Sequence, residues 1–121
     1  MAKVLIVDDS PTQLFTLKKL IEKWGYEVLI AENGDEALQV ARREQPNVIL
    51  MDIVMPGMSG FQATRNLSRD QETNSIPVIF VSKKDSDADR LWGMRQGASA
   101  FVTKPINPTM LQNAISDAVA A

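Results

Sequence analysis

Three aspartates, a serine and a lysine stand at the ends of the short apolar runs of this chain. They are Asp8, Asp9, Asp52, Ser82 and Lys104. If the runs are strands of one parallel sheet, their carboxyl ends lie at one edge, where these side chains meet. Neighbouring carboxylates repel one another, and a small divalent cation such as Mg2+, which prefers oxygen ligands, removes that conflict. A lysine ammonium opposite the carboxylates suits an incoming phosphoryl oxygen. The set therefore predicts a magnesium site that accommodates a phosphoryl group.

Each of these residues also has an ordinary structural interpretation. An aspartate after a strand most often caps a turn or a helix, and Asp8 and Asp9 precede a serine-proline pair that is typical of a helix start. Ser82 alone could satisfy a backbone group, and Lys104 alone could be a solvated charge at a rigid strand exit. The conjunction favours the chemical interpretation, because the opposite ends of the same runs carry no comparable set.

Five short runs rich in valine and isoleucine supply the strands that must position these side chains. Several of them lack the alternation of apolar and polar residues that a half-exposed strand shows. They therefore fit strands that are covered on both faces of a parallel sheet. The runs are Val4–Val7, Val28–Ala31, Val48–Met51, Val78–Val81 and Phe101–Val102.

Segments with helical spacing separate these runs and follow the last one. The five sets of apolar positions are Leu14, Leu17, Ile21 and Trp24, ending at Gly25; Ala37, Leu38 and Ala41, between Asn33-Gly34 and Pro46; Phe61, Thr64 and Leu67, after Ser59-Gly60; Leu91, Met94 and Ala98, ending near Gly97; and Leu111, Ala114, Ile115 and Ala118, after Asn107-Pro108. Five strands alternating with five helices predict an α/β fold with an open parallel sheet and helices on both faces.

Composition narrows the classes of protein that the chain can represent. Its 121 residues, 45% of them apolar and 23% charged, fit one domain over residues 1–121 with a real core. A net charge of −2 gives no general footprint for nucleic acid, although it leaves room for a local basic patch. The absence of cysteine and histidine excludes disulfides, thiolate or histidine zinc sites and an internal phosphohistidine. No apolar run reaches the roughly 20 residues of a membrane span, and we expect a cytoplasmic protein without membrane insertion.

An ordered set of motifs resembles the receiver domain of bacterial two-component response regulators. The matching segments are VLIVDDSP (Val4 to Pro11), VILMDIVMPGMSG (Val48 to Gly60), VIFVS (Val78 to Ser82) and TKP (Thr103 to Pro105). A closer likeness, to the single-domain receivers of type IV pilus twitching motility, is carried by MDIVMPGMSGFQATRNL, SIPVIFVSKKD and LWGMRQGA. The resemblance covers essentially the whole chain and implies a doubly wound (βα)5 flavodoxin-like three-layer sandwich with strand order 2-1-3-4-5.

The resemblance also implies a role for each residue at the predicted edge. Asp52 is then the phosphoacceptor, and Lys104 and Ser82 bind the phosphoryl group. Asp8, Asp9 and Asp52 hold Mg2+ together with the backbone carbonyl of Val54, and Mn2+ is a possible substitute. A cis peptide precedes Pro105 and presents the lysine.

The switch that the resemblance implies couples Ser82 to an aromatic residue on the fifth strand, Phe101. A packed aromatic on an edge strand is an equally good interpretation of Phe101. The expected readout is a change in the face formed by the fourth helix, fifth strand and fifth helix. Trp92 falls beside the apolar stripe of the fourth helix, so it is either a partner contact or packed against the fifth helix.

The predicted function is that of a stand-alone two-component response regulator in twitching motility or chemotaxis-like signalling, not an enzyme with its own substrate. The resemblance implies a histidine kinase of the CheA-like type as phosphodonor and an unidentified downstream protein that binds the face formed by the fourth helix, fifth strand and fifth helix. We expect no nucleic-acid partner and a monomer in the unphosphorylated state. A phosphate sink for another receiver fits the same residues.

Two other classes of protein share part of this pattern. A flavodoxin-like FMN carrier has the same architecture, but Asp8 and Asp9 would repel the FMN phosphate. An aspartate-based phosphohydrolase generally needs a second aspartate two residues after the nucleophile, where Val54 stands. Lys83 departs from the small residue that usually follows Ser82, and it is either a solvated charge or a modifier of phosphoryl approach.

Overall fold

The computed structural model describes residues 1–84 and 86–120, so Asp85 and Ala121 lie outside the described residues. Strands and helices alternate as the sequence predicts. The strands are β1 (Lys3–Val7), β2 (Glu27–Ala31), β3 (Val48–Met51), β4 (Val78–Ser82) and β5 (Ala100–Thr103). The helices are α1 (Pro11–Lys23), α2 (Gly34–Glu44), α3 (Gly60–Arg69), α4 (Asp87–Arg95) and α5 (Pro108–Ala120).

All strand pairs are parallel, and the sheet has the predicted order β2-β1-β3-β4-β5. The last residue of β1, Val7, pairs with Ala31 on one side and with Met51 on the other. Since the chain leaves β1 and β3 at the same level, the residues that follow them are neighbours. The strand register therefore places the residues after β1 and β3 side by side at the carboxyl edge of the sheet, as the predicted site requires.

The two faces of the sheet carry separate apolar layers, as a doubly wound sandwich requires. Even-numbered β1 residues face α1 and α5, and odd-numbered ones face α2 and α3. The helices contribute Leu14, Leu17, Ile21, Leu111 and Ile115 to the first layer and Ala37, Val40, Ala41, Ala63 and Leu67 to the second. No helix in the described ranges has both the length and the apolar character needed to cross a membrane.

The alternative interpretation, in which Asp8 and Asp9 cap the first helix, does not match the start of α1. Ser10 is the cap residue, and its hydroxyl accepts a hydrogen bond from the Gln13 amide at 3.3 Å. One oxygen of Asp8 accepts the Ser10 amide at 2.9 Å. Asp8 thus holds the cap residue in place without being the cap, and its second oxygen remains available to other groups.

The apolar stripe predicted for the fourth helix is wrong. Leu91 and Met94 are 56% and 47% exposed, and Ala98 is buried but lies beyond the end of α4. The buried residue of α4 is Gly93, which lies against the Phe80 ring so closely that an added Cβ would come within 2.9 Å of it. Because the glycine makes the inward contact, the large side chains on either side are left at the surface.

Candidate metal and phosphoryl site

The three predicted aspartates meet at the carboxyl edge of the sheet. Asp8 follows β1, and the Asp52 amide donates to the Val7 carbonyl at 3.0 Å, which extends the β1–β3 ladder by one residue. Oxygens of Asp8, Asp9 and Asp52 all lie within 4.8 Å of one another. Asp8 is buried, Asp52 is half-buried and Asp9 is exposed, so the cluster opens to solvent on one side.

Lys104 lies against this cluster from the end of β5. Its ammonium is 3.2 Å from an Asp8 oxygen and 3.8 Å from an Asp52 oxygen, and the side chain is almost fully buried. The Lys104 amide donates to the Ser82 carbonyl at 3.0 Å, which continues the β4–β5 pairing. The Lys104–Pro105 peptide is cis, and the side chain of its lysine lies at the edge of the sheet.

The electrostatics of the cluster favour a bound cation. Burial raises the pKa of Asp52 above the ordinary aspartate value; Lys104 and the Ile53 amide oppose that rise, and the carboxylates of Asp8 and Asp9 add to it. One ammonium balances only one of three carboxylates. A hard divalent ion takes such oxygen ligands and completes its shell with water from the open side, so the donor set fits Mg2+.

Val54 lies in the loop between β3 and α3, two residues beyond Asp52, with its side chain 62% exposed. That loop is held close to the phosphoacceptor candidate by Gly60, whose amide donates to the Ile53 carbonyl at 2.8 Å. A Cβ at Gly60 would fall 2.0 Å from the Asp52 carbonyl oxygen. A side chain at this position would displace the backbone that carries Asp52.

Ser82 and Phe101 lie on neighbouring strands near the edge. The Ser82 side chain is buried, and its hydroxyl accepts the Lys84 amide at 3.2 Å. The half-buried Phe101 packs on Phe80, with ring centroids 6.0 Å apart. Lys83, between Ser82 and Lys84, is exposed.

Arg90 on α4 is a residue that the sequence analysis missed. Its guanidinium carbon lies 4.9 Å from the centre of the Phe101 ring, and it donates to the Thr103 hydroxyl at 2.6 Å. The arginine therefore covers the predicted switch residue. A guanidinium over an aromatic face is a weakly favourable contact that movement of either group would break.

Gln13 is the second residue that sequence reasoning missed. Its side-chain carbonyl accepts a hydrogen bond from the Lys104 ammonium. Together with the contacts of Asp8 described above, this bond closes a ring of Asp8, Ser10, Gln13 and Lys104. The ring ties the first turn of α1 to both a predicted metal ligand and the predicted phosphoryl-binding lysine.

A sequence signal for Gln13 does exist. Ser10 to Gln13 has the serine-x-x-glutamine spacing of a capping box, in which the glutamine turns back to the cap amide. Here that amide donates to Asp8, so the Gln13 side chain is released and reaches Lys104. The signal locates the residue but predicts a different partner.

Trp92 does not face the fifth helix. It is 45% exposed and lines two hollows together with Arg65 and Gln96, between α3 and α4. The interpretation in which it packs against α5 is therefore wrong. It lies at the α3 edge of α4, and the expected α4–β5–α5 face begins on the other side of that helix.

Known proteins with the same sequence pattern and fold identify this arrangement. The sequence model of the response regulator receiver domain matches residues 4–116. Protein PilH of Pseudomonas aeruginosa is 52% identical over 120 residues, which span 99% of each chain. The chemotaxis protein CheY4 of Vibrio cholerae superposes with a TM-score of 0.91 at 31% identity and 98% coverage of both chains.

A further solved structure shares the fold and carries the predicted ion. It is the receiver domain of a sensor histidine kinase from Pseudomonas aeruginosa, with magnesium coordinated in its active-site cleft, and it superposes with a TM-score of 0.91 at 24% identity over 99% of this chain and 98% of that one. The family match decides against the flavin-carrier and phosphohydrolase interpretations. With its motifs, strand order and acidic edge, the chain belongs to the response regulator receiver domains of two-component signalling, and it is similar to PilH and to CheY proteins.

Proposed function

We propose that Asp52 accepts a phosphoryl group from a partner histidine kinase in a Mg2+-dependent reaction, and that the modified domain switches a protein interaction in type IV pilus twitching motility. The observation that carries this proposal is the cluster of three carboxylates around Asp52 with the Lys104 ammonium beside it. The similarity to PilH over nearly the whole chain supports the biological setting.

Asp8, Asp9 and Asp52, with the Val54 carbonyl, would hold the ion, and Mn2+ is a possible substitute. When bound, Mg2+ shields the carboxylates from the donor's negative oxygens and stabilises charge on the transferred group. An Asp52 oxygen forms the new bond to phosphorus, the bond from phosphorus to the donor imidazole nitrogen breaks, and that nitrogen keeps the electron pair. Hydrolysis later returns the carboxylate, so the domain turns over no independent substrate.

Lys104 is suited to receive the phosphoryl group because it is fixed and buried beside Asp52. An ammonium has three donors, and in this structure it contacts Asp8, Gln13 and Asp52. When Asp52 becomes an acyl phosphate, a phosphoryl oxygen can replace the distant Asp52 contact while the other two hold the lysine. The donor is therefore already oriented before the charge arrives.

The proposed switch begins when a phosphoryl oxygen draws the Ser82 hydroxyl toward it and so frees space for Phe101. The Ser82 hydroxyl accepts the hydrogen bond from the Lys84 amide, which leaves its own proton to donate to a phosphoryl oxygen. A shift of Ser82 would open room for Phe101 and break the Arg90 contact with that ring. The change would be read on the α4–β5–α5 face by a downstream protein.

The sequence has no histidine, which supports a donor acting in trans, and we propose a CheA-like kinase. We further propose that residues 1–121 form one receiver domain, that it works in the cytoplasm, and that it is monomeric before phosphorylation. Nucleic acid and membrane insertion have no part in this proposal.

The test is the intact mass of the protein after incubation with Mg2+ and a phosphorylated kinase domain. We expect one added phosphoryl group that hydroxylamine removes, and no addition without the metal. Asp52→Asn should abolish the adduct, whereas Asp35→Asn, the same change at an exposed position on α2, should retain it. An adduct that survives in Asp52→Asn would overturn the assignment of the phosphoacceptor.

A further inference from the structure

A basic groove lies between α3 and α4, on the edge of α4 that the proposed α4–β5–α5 face does not include. Trp92 lines two hollows, of about 350 and 240 Å³, that share several lining residues. Arg65 borders both hollows, and Arg69 and Arg95 border the larger one. We call this surface the Trp92 groove.

The charge of the groove is opposite to that of the chain. All three charged residues that line it are arginines, although the sequence has a net charge of −2. Over the described ranges, no carboxylate forms a salt bridge with any of the three. By contrast, the hollow beside Asp9 is lined by four acidic residues and by no basic one. The charged residues that line the two surfaces are therefore opposite in sign.

Hydrogen bonds within the chain already hold part of the groove. The Arg65 guanidinium donates to the Gln96 side-chain carbonyl at 2.8 Å, and Gln96 is 7% exposed. The Ser68 hydroxyl lies between two backbone carbonyls, at 2.9 Å from Thr64 and 3.0 Å from Gln96, and so bridges α3 and the end of α4. A fixed arginine loses less conformational entropy when it binds than a freely moving one.

We propose that the Trp92 groove docks an acidic segment of a partner protein, with an apolar side chain of that segment against the indole and its carboxylates on the arginines. Tryptophan and arginine are the residue types that most often dominate interface energies. Arginine also binds carboxylates through two parallel hydrogen bonds, which favours an acidic peptide over a neutral one. The area beside Trp92 suits a short segment, since the two hollows are small and adjacent.

The test measures binding of a fluorescein-labelled peptide, rich in glutamate with two leucines, by anisotropy at low ionic strength. Its control is the same peptide with glutamine in place of glutamate. We expect the acidic peptide to bind about tenfold more tightly, with affinity falling as salt is added. Trp92→Ala and the double variant Arg69→Gln/Arg95→Gln should each weaken binding about tenfold.

Arg43→Gln is the matched control, because Arg43 is an exposed arginine on α2 that does not line the groove. Asp52→Asn should bind the peptide like the unaltered protein, so a failure of the proposed phosphoacceptor would leave this result intact. Far-ultraviolet circular dichroism checks folding, and the arginine variant keeps the test valid if Trp92→Ala unfolds.

Three results would overturn the proposal. One is equal affinity for the acidic and glutamine peptides, or an equal loss in Arg43→Gln. Another is tighter binding of oligothymidine than of the acidic peptide, which would assign the groove to nucleic acid. The third is concentration-dependent association of the protein that the arginine double variant abolishes, which would assign the groove to the acidic surface of a second copy.

Discussion

Helices α1 and α4 cover the same sheet in different ways. α1 has 13 residues and buries Leu14, Leu17 and Ile21, whereas α4 has nine and buries Gly93. α1 is therefore held by a large area of side chain, and α4 by the close approach of its backbone to Phe80. Since few buried apolar contacts mean a low free energy of local opening, α4 should move far more easily than α1.

The two helices also carry different parts of the proposed machinery. α1 and its cap residue supply Gln13 and Ser10 to the hydrogen-bonded ring around Lys104, where a small displacement would slow the proposed chemistry. α4 carries Arg90, which covers Phe101, and Trp92. The difference teaches that the proposed chemistry lies beside a firmly packed helix, α1, and the proposed response on a helix with little buried side chain, α4.

The largest expected effect tests the packing of the two helices directly. Leu17→Ala removes a buried side chain of α1 and should lower the free energy of unfolding by about 3 kcal/mol. Leu91→Ala makes the same change on α4, where the side chain is 56% exposed, and should cost less than about 0.5 kcal/mol. Urea denaturation measures both. Similar losses in the two variants would mean that α4 is packed as firmly as α1.

Sequence patterns predict the central strands and the buried face of α1 almost completely. The uninterrupted apolar runs give β1, β3 and β4, and the spacing of Leu14, Leu17 and Ile21 gives the buried stripe of α1. The edge cluster follows because the end of a strand fixes where its next residue lies. Strand ends alone are therefore enough to place Asp8 beside Asp52.

Hydrophobic periodicity fails to predict the buried face of α4, and the reason is physical. Periodicity assumes that burial is achieved by large apolar side chains, so it selects Leu91 and Met94. The contact is made instead by Gly93, and a glycine carries no hydrophobic signal. The Arg90 contact with Phe101 is missed for a related reason, because it joins residues on two elements whose relative placement the sequence pattern does not specify.

The second prediction tests whether the contact of Gly93 with Phe80 holds α4 on the sheet. Gly93→Ala adds a Cβ at 2.9 and 3.0 Å from two atoms of the fully buried Phe80 ring, so α4 must move outward. We expect the free energy of unfolding to fall by about 1–2 kcal/mol, and hydrogen exchange to accelerate throughout α4.

Gly34→Ala is the matched control, since Gly34 is also helical and its Cβ would meet the flexible Met58 side chain at 2.7 Å. The Met58 side chain can rotate away, and the Ala63 Cβ at 3.2 Å requires only a small adjustment, so the change should cost less than Gly93→Ala. Alanine has the higher helix propensity by about 1 kcal/mol. An increase in stability for Gly93→Ala would show that propensity outweighs the contact with Phe80, and that α4 is not held through its glycine.

The third prediction concerns the ring on the α1 side. Gln13→Leu removes the neutral acceptor of Lys104 and leaves the lysine to Asp8 and Asp52, so its ammonium should shift toward the carboxylates. We expect the rate of phosphorylation at saturating Mg2+ to fall about fivefold, equivalent to about 1 kcal/mol of activation free energy. Time-resolved intact mass measures the rate.

Gln39→Leu makes the same substitution at an exposed position on α2 and should leave the rate unchanged. A loss in both variants would point to a general effect of exposing leucine. An unchanged rate in Gln13→Leu would show that Asp8 alone positions the lysine and that the ring is without kinetic consequence.

The smallest expected effect is a pH dependence confined to α4. A capping box joins Ser86 and Asp89 at its first turn, and the Ser86 hydroxyl, with some help from Lys84, lowers the pKa of Asp89 below the ordinary value of 3.8. The charged carboxylate therefore stabilises the folded helix. That contribution is complete above the ordinary pKa and is lost as the pH falls through the lower value in the folded state.

Asp89→Asn should consequently loosen the start of α4 at neutral pH and have no effect in strong acid, where the carboxyl of the unaltered protein is also uncharged. Hydrogen exchange followed by mass spectrometry should show faster exchange in α4 at neutral pH, and the difference should shrink as the pH falls below 3.8. α1 has no acidic residue in its first turn, and its centre is held by buried leucines. Hydrogen exchange at the centre of α1 should therefore be the same in Asp89→Asn and in the unaltered protein. A difference of equal size in α1 would mean that Asp89 stabilises the whole domain, and the two helices would then respond as one unit.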